Sequence, residues 1–192
     1  MRKVIENYIK DSIAAKEELL KDQIVNIESA AKAIIESLKA GKKLLIFGNG
    51  GSASDSQHMA AELVGRFRME RKGLPAIALT ANTSILTAIA NDYGYDVVFS
   101  RQIEALGVAG DVALGISTSG NSKNVIEAFR KAHALGMKTI ALSGGDGGNM
   151  KRESDISITV PTKDTPRVQE SHIMIAHIIC ALIEDGMFGS KL

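Results

Sequence analysis

After residue 42, short apolar segments with the length of β-strands alternate with segments that have helical periodicity. The strand-like segments span residues 43–47, 75–79, 112–117, 138–143 and 156–160, and the helical ones span about residues 54–66, 83–91, 97–106, 122–135 and 166–185. Parallel strands need crossover connections that are long enough to hold a helix, and both faces of the resulting sheet are covered. The alternation therefore predicts the α/β class: a three-layer, flavodoxin-like, doubly wound sheet of five parallel strands in the order 2-1-3-4-5.

The first forty residues are predicted to be helical, because apolar residues recur on one face and Gly41 follows as a C-terminal cap. That face includes Ile5, Ile9, Ile13, Ile24, Ile27 and Ile34. A five-stranded sheet does not need these helices for cover, so their apolar stripes favour packing in a homo-oligomer over packing on the chain's own body. We therefore divide the chain into residues 1–40, a helical segment for oligomer packing, and residues 41–192, which hold the sheet.

Composition argues against several function classes. A formal net charge of +1 on 192 residues lacks the basic excess of a nucleic-acid-binding protein. The longest apolar run, residues 173–183, is shorter than the roughly 20 residues of a membrane span, and it is interpreted as a core helix. The N-terminus shows no secretory signal, and the single cysteine, Cys180, cannot form an internal disulfide. These features predict a cytoplasmic protein that binds neither nucleic acid nor membrane.

A glycine-rich turn at residues 48–52 (GNGGS) follows the first strand and leads into a helix that carries His58 and Glu62. Four residues apart, these two side chains lie on one face of the helix and suit a divalent metal or acid–base catalysis, although a solvated pair is common. The turn also has the G-x-G-x-x-A form of the dinucleotide fingerprint. The second strand ends without the acidic residue which that fingerprint needs, and this argues against NAD.

A second polar turn, at residues 116–122 (ISTSGNS), ends the third strand and opens a helix. Free backbone N–H groups and the positive end of the helix dipole favour an anion there. Ser122 is predicted to be the N-cap residue. Since the expected strand order puts this turn beside the first one, the pair predicts a site for a phosphorylated small molecule, with plain capping and turn chemistry as the alternative.

The last helix opens with polar turns and continues as an apolar run, residues 173–183, that is interrupted only by His177. Eight residues separate Gln169 from His177, which is about 80° around the helix and roughly 12 Å along it. One metal ion binds both only if the helix start is frayed or if the two side chains come from different subunits. His172 is interpreted as a helix-start or interface group, and the basic run at residues 66–72 as a solvated loop.

Six segments together resemble the phosphoheptose isomerase family of the sugar-isomerase (SIS) domain superfamily: GNGGSA, QHMAAEL, ANDYG, GDVALGISTSGNSKNVIEAF, LSGGDGG and RVQESHIMIAHIICALIE. The resemblance covers nearly the whole chain. It implies an aldose–ketose isomerase that converts sedoheptulose 7-phosphate to D-glycero-D-manno-heptose 7-phosphate through an enediol, in bacterial synthesis of heptose for lipopolysaccharide. It also implies a SIS domain over residues 41–192, one zinc ion per subunit and a homotetramer.

The resemblance also implies roles for individual residues. The zinc ligands fall on His58, Glu62, Gln169 and His177, and the acid–base residues on Glu62 and His177. The substrate contacts fall on Asn49, Gly50, Gly51, Ser52, Glu62, Asn91, Asp92, Ser117, Thr118, Ser119, Ser122 and Gln169.

Two alternatives stand beside the isomerase hypothesis. One is a non-catalytic SIS-domain protein that binds the bacterial replication initiator; relatives of that kind have lost the residues at the positions of Glu62 and His177, and this chain retains both. The other is a different sugar-phosphate isomerase or an amino-sugar lyase of the same superfamily. The Q-H-x-x-x-E pattern at residues 57–62 and the helix with Gln169 and His177 argue against it.

Overall fold

A computed structural model describes residues 1–189, and these residues form three layers around a parallel sheet. The helices α1 to α7 span Arg2–Asp22, Ile24–Lys39, Gly51–Val64, Thr83–Tyr93, Val98–Leu106, Lys123–Ala134 and Thr165–Phe188. The strands β1 to β5 span Leu44–Gly48, Ala76–Ala78, Val112–Ser117, Lys138–Gly144 and Ile156–Val160. Two 3₁₀ turns, Tyr95–Val97 and Asn149–Lys151, complete the regular structure of the described part. The predicted elements are confirmed, with ends that shift by a few residues.

The strands of the described chain lie in the order β2-β1-β3-β4-β5, and every pair is parallel. This order confirms the predicted doubly wound topology. In β1 and β3 every residue is buried, as expected for strands with both faces covered. Gly48 pairs with Ile116 at the carboxyl ends of these two strands, so the polar turns that follow them are neighbours.

Alternating side chains of the strands feed two cores, one on each face of the sheet. Leu44 and Ile46 of β1 belong to the core that α2, α3 and α7 cover. Leu45 and Phe47 belong to the opposite core, beneath α5 and α6. There the ring of Phe47 lies 5.4 Å from that of Phe99 and 5.9 Å from that of Phe129, measured between centroids. The first of these cores holds α3 and α7 on the same face of the sheet, so side chains of these two helices can meet.

Helix α2 belongs to the chain's own core, in contrast to the prediction that the sheet needs no cover from the N-terminal helices. Ile34 and Leu38 of α2 are buried against the sheet and α7. Helix α1 differs, because Ile5, Ile9 and Ile13 remain more than half exposed. Oligomer packing therefore stays a prediction for the apolar face of α1. The last three residues of the predicted domain, 190–192, lie outside the described residues.

Helix α7 is long and apolar enough to cross a membrane by length and composition, a test that core helices also pass. Ile175, Ile179 and Ile183 are fully buried in the core formed with α2, α3 and the sheet. Cys180 belongs to the same core and is buried and unpaired within the described chain. The interpretation of this segment as a core helix is thus confirmed.

Candidate active site

The turns that follow β1 and β3 are joined by a small hydrogen-bond network. The side chains of Asn49, after β1, and Asn124, in the first turn of α6, exchange two hydrogen bonds of 2.9 Å each. The hydroxyl of Tyr95 donates to Asn49 Oδ1 at 3.2 Å, which ties the segment after α4 to the same point. No role is predicted for Tyr95 or Asn124 from the sequence, although Asn124 lies in one of the quoted segments, and only the tertiary structure brings them to Asn49.

The turn that ends β3 collects hydroxyl groups at the start of α6. Ser117 Oγ lies 2.8 Å from Ser122 Oγ and 3.4 Å from Ser119 Oγ. Ser122 is the N-cap residue, as predicted, but its hydroxyl pairs with Ser117 and makes no cap hydrogen bond. Without a side-chain cap, the first N–H groups of α6 remain available, with the positive end of the helix dipole, to an anion such as a phosphate.

A cavity of about 300 Å³ opens beside this serine-rich turn. It is lined by Thr118, Ser119, Asn121, Gly144, Gly145, Asp146, Lys163 and Thr165. Lys163, in the connection between β5 and α7, brings an ammonium group that the sequence reasoning did not single out. Hydroxyl groups, an amide and the Lys163 ammonium group around a cavity of this size suit the phosphate end of a small sugar phosphate, whereas the Asp146 carboxylate in the same lining acts against an anion.

Three side chains that can bind a metal converge between α3 and α7. His58 Nε2 lies 3.1 Å from Glu62 Oε1 and 3.1 Å from His177 Nε2, and the three candidate ligand atoms lie within 4.8 Å of one another. His58 and Glu62 are brought together by one turn of α3, whereas His177 is 119 residues away from His58 in the chain. The trio is open to solvent, since the side chains of His58 and Glu62 are 48% and 25% exposed.

The donor set of this trio fits a zinc ion. Zinc takes imidazole nitrogens and carboxylate oxygens at about 2.0–2.2 Å, so neighbouring ligand atoms of a tetrahedral site lie about 3.3 Å apart. The two separations of 3.1 Å are close to that value. Two histidines and one glutamate are also the protein ligands of catalytic zinc sites that keep a position open for substrate. The trio can therefore hold a metal ion.

Gln169 lies apart from the trio in this chain. Its side chain contacts the start of α3, because a Cβ added to Gly51 would be 2.5 Å from Gln169 Nε2. Seven residues of α3 separate Gly51 from His58, which is roughly 10 Å along the helix. Helix α7 begins at Thr165, so Gln169 lies within regular helix and not in a frayed start. A role for Gln169 as a ligand to the same ion remains a prediction that requires a second copy of the chain.

The other predicted substrate-contact residues lie in the glycine-rich turn after β1 or at the end of α4. Gly50 and Gly51 form the start of α3, and Ser52 behind them is buried, with 3% of its surface exposed. Asn91 and Asp92 lie in the last turn of α4, exposed and hydrogen-bonded to each other at 2.8 Å. They are close in the chain to Tyr95, which contacts Asn49. The structure thus brings the two turns and the end of α4 to one edge of the sheet.

The prediction that the basic run at residues 66–72 is a solvated loop is wrong for Arg71. The side chains of Arg71 and Glu184 are 2% and 1% exposed and pair at 3.0 Å. Burial by itself would raise the pKa of Glu184, but the N–H groups of Phe67, Arg68 and Met69 and the Arg71 guanidinium outweigh it and lower the pKa. An acidic residue in the apolar helix and an arginine in the basic run were signals of a buried ion pair.

His172 is fully buried, in contrast to its interpretation as a helix-start or interface group. Its Nε2 lies 3.1 Å from the carbonyl oxygen of Ser143, and its Nδ1 has no hydrogen-bond partner within residues 1–189. Burial lowers the pKa of His172 to about 4, although the hydrogen bond to Ser143 acts in the opposite direction. His172 is therefore a neutral structural group that joins α7 to the end of β4.

This pKa predicts a loss of stability in acid. Since the folded state lowers the pKa of His172, the unfolded state binds more protons between about pH 6.5 and pH 4, and stability falls as pH drops through that window. Between pH 7 and pH 5 the loss from His172 is about 2 kcal/mol. Urea unfolding at both pH values, at one protein concentration, should show this loss in the wild type and not in His172→Gln. Equal pH dependence in the two proteins would contradict the assignment.

Comparison with known proteins identifies relatives over nearly the whole chain. The family model for the SIS domain matches residues 7–144. Phosphoheptose isomerases of Clostridium acetobutylicum and Helicobacter pylori are both 56% identical to this chain; the aligned parts cover 100% and 94% of the chain and 99% and 96% of those proteins. The solved structure of phosphoheptose isomerase from Neisseria gonorrhoeae is 46% identical, with a TM-score of 0.91 over 96% of this chain and 98% of that one.

Proposed function

This chain belongs to the phosphoheptose isomerase family of SIS-domain proteins, and from that premise we propose that it converts sedoheptulose 7-phosphate to D-glycero-D-manno-heptose 7-phosphate. The coarser assignment, a sugar-phosphate isomerase of heptose synthesis, follows from the family. The proposal adds the specific substrate, an enediol intermediate, a zinc ion in each subunit, and a cytoplasmic role in making heptose for lipopolysaccharide.

The observation that carries the proposal is the convergence of His58, Glu62 and His177 between α3 and α7, in a fold that also places the serine-rich turn beside the turn after β1 at the carboxyl edge of the sheet. An isomerase for a phosphorylated sugar needs a proton-transfer pair at one end of its substrate and an anion site at the other. In our proposal Ser117, Thr118, Ser119 and Ser122 bind the 7-phosphate, with Lys163 as an added cation. Asn49, Gly50, Gly51, Ser52, Asn91 and Asp92 then contact the sugar. Fixing the phosphate sets the distance to the reacting carbons.

Conversion of the ketose to the aldose removes a proton from C1, adds one to C2 and moves a hydroxyl proton from O1 to O2. We assign removal of the C1 proton to the Glu62 carboxylate. We assign delivery of a proton to C2 to His177, on the opposite side of the C1–C2 unit. The residues that would hold zinc are His58, Glu62 and His177, with Gln169 of a second copy. The chemistry that zinc supplies when bound is polarisation of the substrate oxygens and stabilisation of enediolate charge.

A carboxylate that binds a metal is a weak base, so the two roles of Glu62 need separate oxygens. Glu62 Oε1 faces His58, whereas Oε2 makes no hydrogen bond within the described chain. The free oxygen can accept the carbon-bound proton while the other stays oriented by His58. This arrangement supports the double role that the family resemblance implies for Glu62.

Assembly into a homotetramer is part of the proposal. The exposed apolar side chains of α1 continue into an apolar surface with α2 and α7, lined by Leu20, Ile24, Met174, Ile178 and Leu182. Burial of this surface against other copies would remove a large apolar patch from water. A second copy would also be the source of the Gln169 side chain that the trio lacks in one chain.

The experiment that tests the function is an assay of sedoheptulose 7-phosphate isomerisation with zinc-loaded and chelator-treated protein. We expect turnover that is lost on chelation and restored by zinc. Turnover that persists after complete metal removal would overturn the role of zinc and leave the isomerase assignment. Absence of turnover with folded, zinc-loaded protein would overturn the proposed substrate, and affinity for the replication initiator would then be measured.

A further inference from the structure

The loop between α3 and β2 is fastened to α7 by a single buried carboxylate. Glu184 accepts hydrogen bonds from three consecutive backbone N–H groups, those of Phe67, Arg68 and Met69, at 2.9, 2.8 and 3.0 Å. Glu184 follows His177 by seven residues, so it lies about two turns further along α7 on nearly the same face. The loop is therefore held against the part of α7 that carries His177.

Arg71 connects the same carboxylate to the end of α3. Its Nε donates to Glu184 Oε1 at 3.0 Å, and its terminal nitrogens donate to backbone carbonyls of Glu62, Leu63 and Gly65 at 2.7, 2.7 and 2.8 Å. These carbonyls lie at the carboxyl end of α3, where helical partners are missing and the dipole is negative. The guanidinium thus caps the turn of α3 that presents Glu62.

Phe67 carries the effect of this pair to the candidate site. Its ring stacks on the imidazole of His177 with a centroid distance of 5.5 Å and an interplanar angle of 24°. The guanidinium of Arg68 lies 5.4 Å from the Phe67 ring centroid. The stack covers one face of His177, and a covered face restricts the rotation of a partly exposed imidazole.

We propose that the buried Arg71–Glu184 pair is a positioning device: it holds Phe67 on His177 and the last turn of α3 in place, and so keeps the three metal-binding side chains aligned. The inference rests on the proposed function for its catalytic consequence, although the alignment itself is independent of it. Arg71, Glu184 and Phe67 act through other residues, so none of these three is a catalytic residue.

A second ion pair with a buried carboxylate, Lys43–Asp111, provides a matched control. Asp111 is fully buried, accepts from the backbone N–H groups of Lys43 and Val108 at 3.0 and 2.9 Å, and pairs with Lys43 Nζ at 2.6 Å. It precedes β3, at the opposite end of the strand from Ser117. Asp111→Asn and Glu184→Gln therefore both replace a buried carboxylate by an amide. Asp111 lies at the far end of β3 from the serine-rich turn, whereas Glu184 contacts the loop that carries Phe67.

The proposal is tested on four variants: Glu184→Gln, Phe67→Leu, Phe67→Tyr and Asp111→Asn. Three quantities are measured for each: kcat and KM of the zinc-loaded protein, the dissociation constant for Co²⁺ added to metal-free protein, and nuclear Overhauser contacts between the side chain of residue 67 and the His177 imidazole. We expect Glu184→Gln and Phe67→Leu to weaken Co²⁺ binding about 10- to 100-fold, as loss of outer-shell partners does. Their kcat should fall about tenfold or more while KM changes little. Phe67→Tyr keeps an aromatic ring and should retain wild-type values and contacts.

Asp111→Asn should lose stability in urea and keep the kcat and Co²⁺ affinity of the wild type. The proposal is overturned if folded Glu184→Gln and Phe67→Leu keep both, or if Asp111→Asn lowers both as much as Glu184→Gln does. Phe67 is partly exposed, so Phe67→Leu remains folded even if the Glu184 variant does not. If the wild type does not isomerise the heptose phosphate, the proposed function fails, while Co²⁺ affinity and the ring contacts still decide the positioning role.

Discussion

Replacing Glu62 by glutamine is expected to lower kcat for heptose phosphate isomerisation by about two to four orders of magnitude, the usual contribution of a positioned acid or base. Glutamine keeps the size of the side chain and can still contact His58, but its amide accepts no proton from carbon. The Glu62 side chain is partly exposed, so the change in unfolding free energy should stay within about 0.5 kcal/mol.

The measurement for Glu62→Gln is steady-state kinetics with zinc content determined for each protein preparation. A matched control is Glu104→Gln, which also removes a carboxylate one turn from a partner on a helix, here Arg101 of α5. The control should keep the wild-type rate. Full turnover by Glu62→Gln with zinc bound would remove Glu62 as the base and leave His177 as the only proposed proton-transfer group.

Replacing Gly120 by alanine is expected to lower kcat/KM about a hundredfold, the size of effect that a displacement of about 1 Å in substrate positioning can have. Gly120 has φ of +65°, and an added Cβ would lie 2.2 Å from the carbonyl oxygen of Gly147. The atoms that the added Cβ meets belong to the backbone of Gly147 and Gly148 and cannot rotate away as a side chain can. The serine-rich turn therefore has to move away from residues 147–148. The loss should appear mainly in KM, because the turn binds the phosphate in our proposal.

Gly41→Ala separates the two costs of Gly120→Ala, which are the strain of an alanine at positive φ and the clash of its Cβ with the backbone of residue 147. Gly41 also has a positive φ, +73°, but an added Cβ meets nothing within 4 Å, and the residue follows α2 at the far end of β1. The control carries only the strain of the left-handed conformation, about 1–2 kcal/mol, and should keep its KM. Equal KM values for Gly120→Ala and the wild type would contradict the placement of the phosphate at this turn.

Local pattern was sufficient for much of the site. The first turn, the serine-rich turn and the His58–Glu62 pair each depend on residues within a few positions of one another, and strand order then placed the turns side by side. His172 and Arg71 were misjudged because their environments depend on distant segments. Arg71 looks like one charge among several, and only Glu184, 113 residues away, makes it a buried group.

By itself the sequence determined the alternation of strands and helices, the doubly wound order, the serine-rich turn at the start of a helix and the family, because these depend on periodicity and on short-range spacing. Only the tertiary structure decided that Gln169 lies apart from His58, Glu62 and His177 within one chain, that α2 belongs to the core, and that Arg71 and Glu184 form a buried ion pair. The physical reason is that these contacts join residues that are distant in the chain, and the way in which whole helices pack on the sheet determines which of those residues meet. A helix rotation of a few tens of degrees would change all of them and leave every local pattern intact.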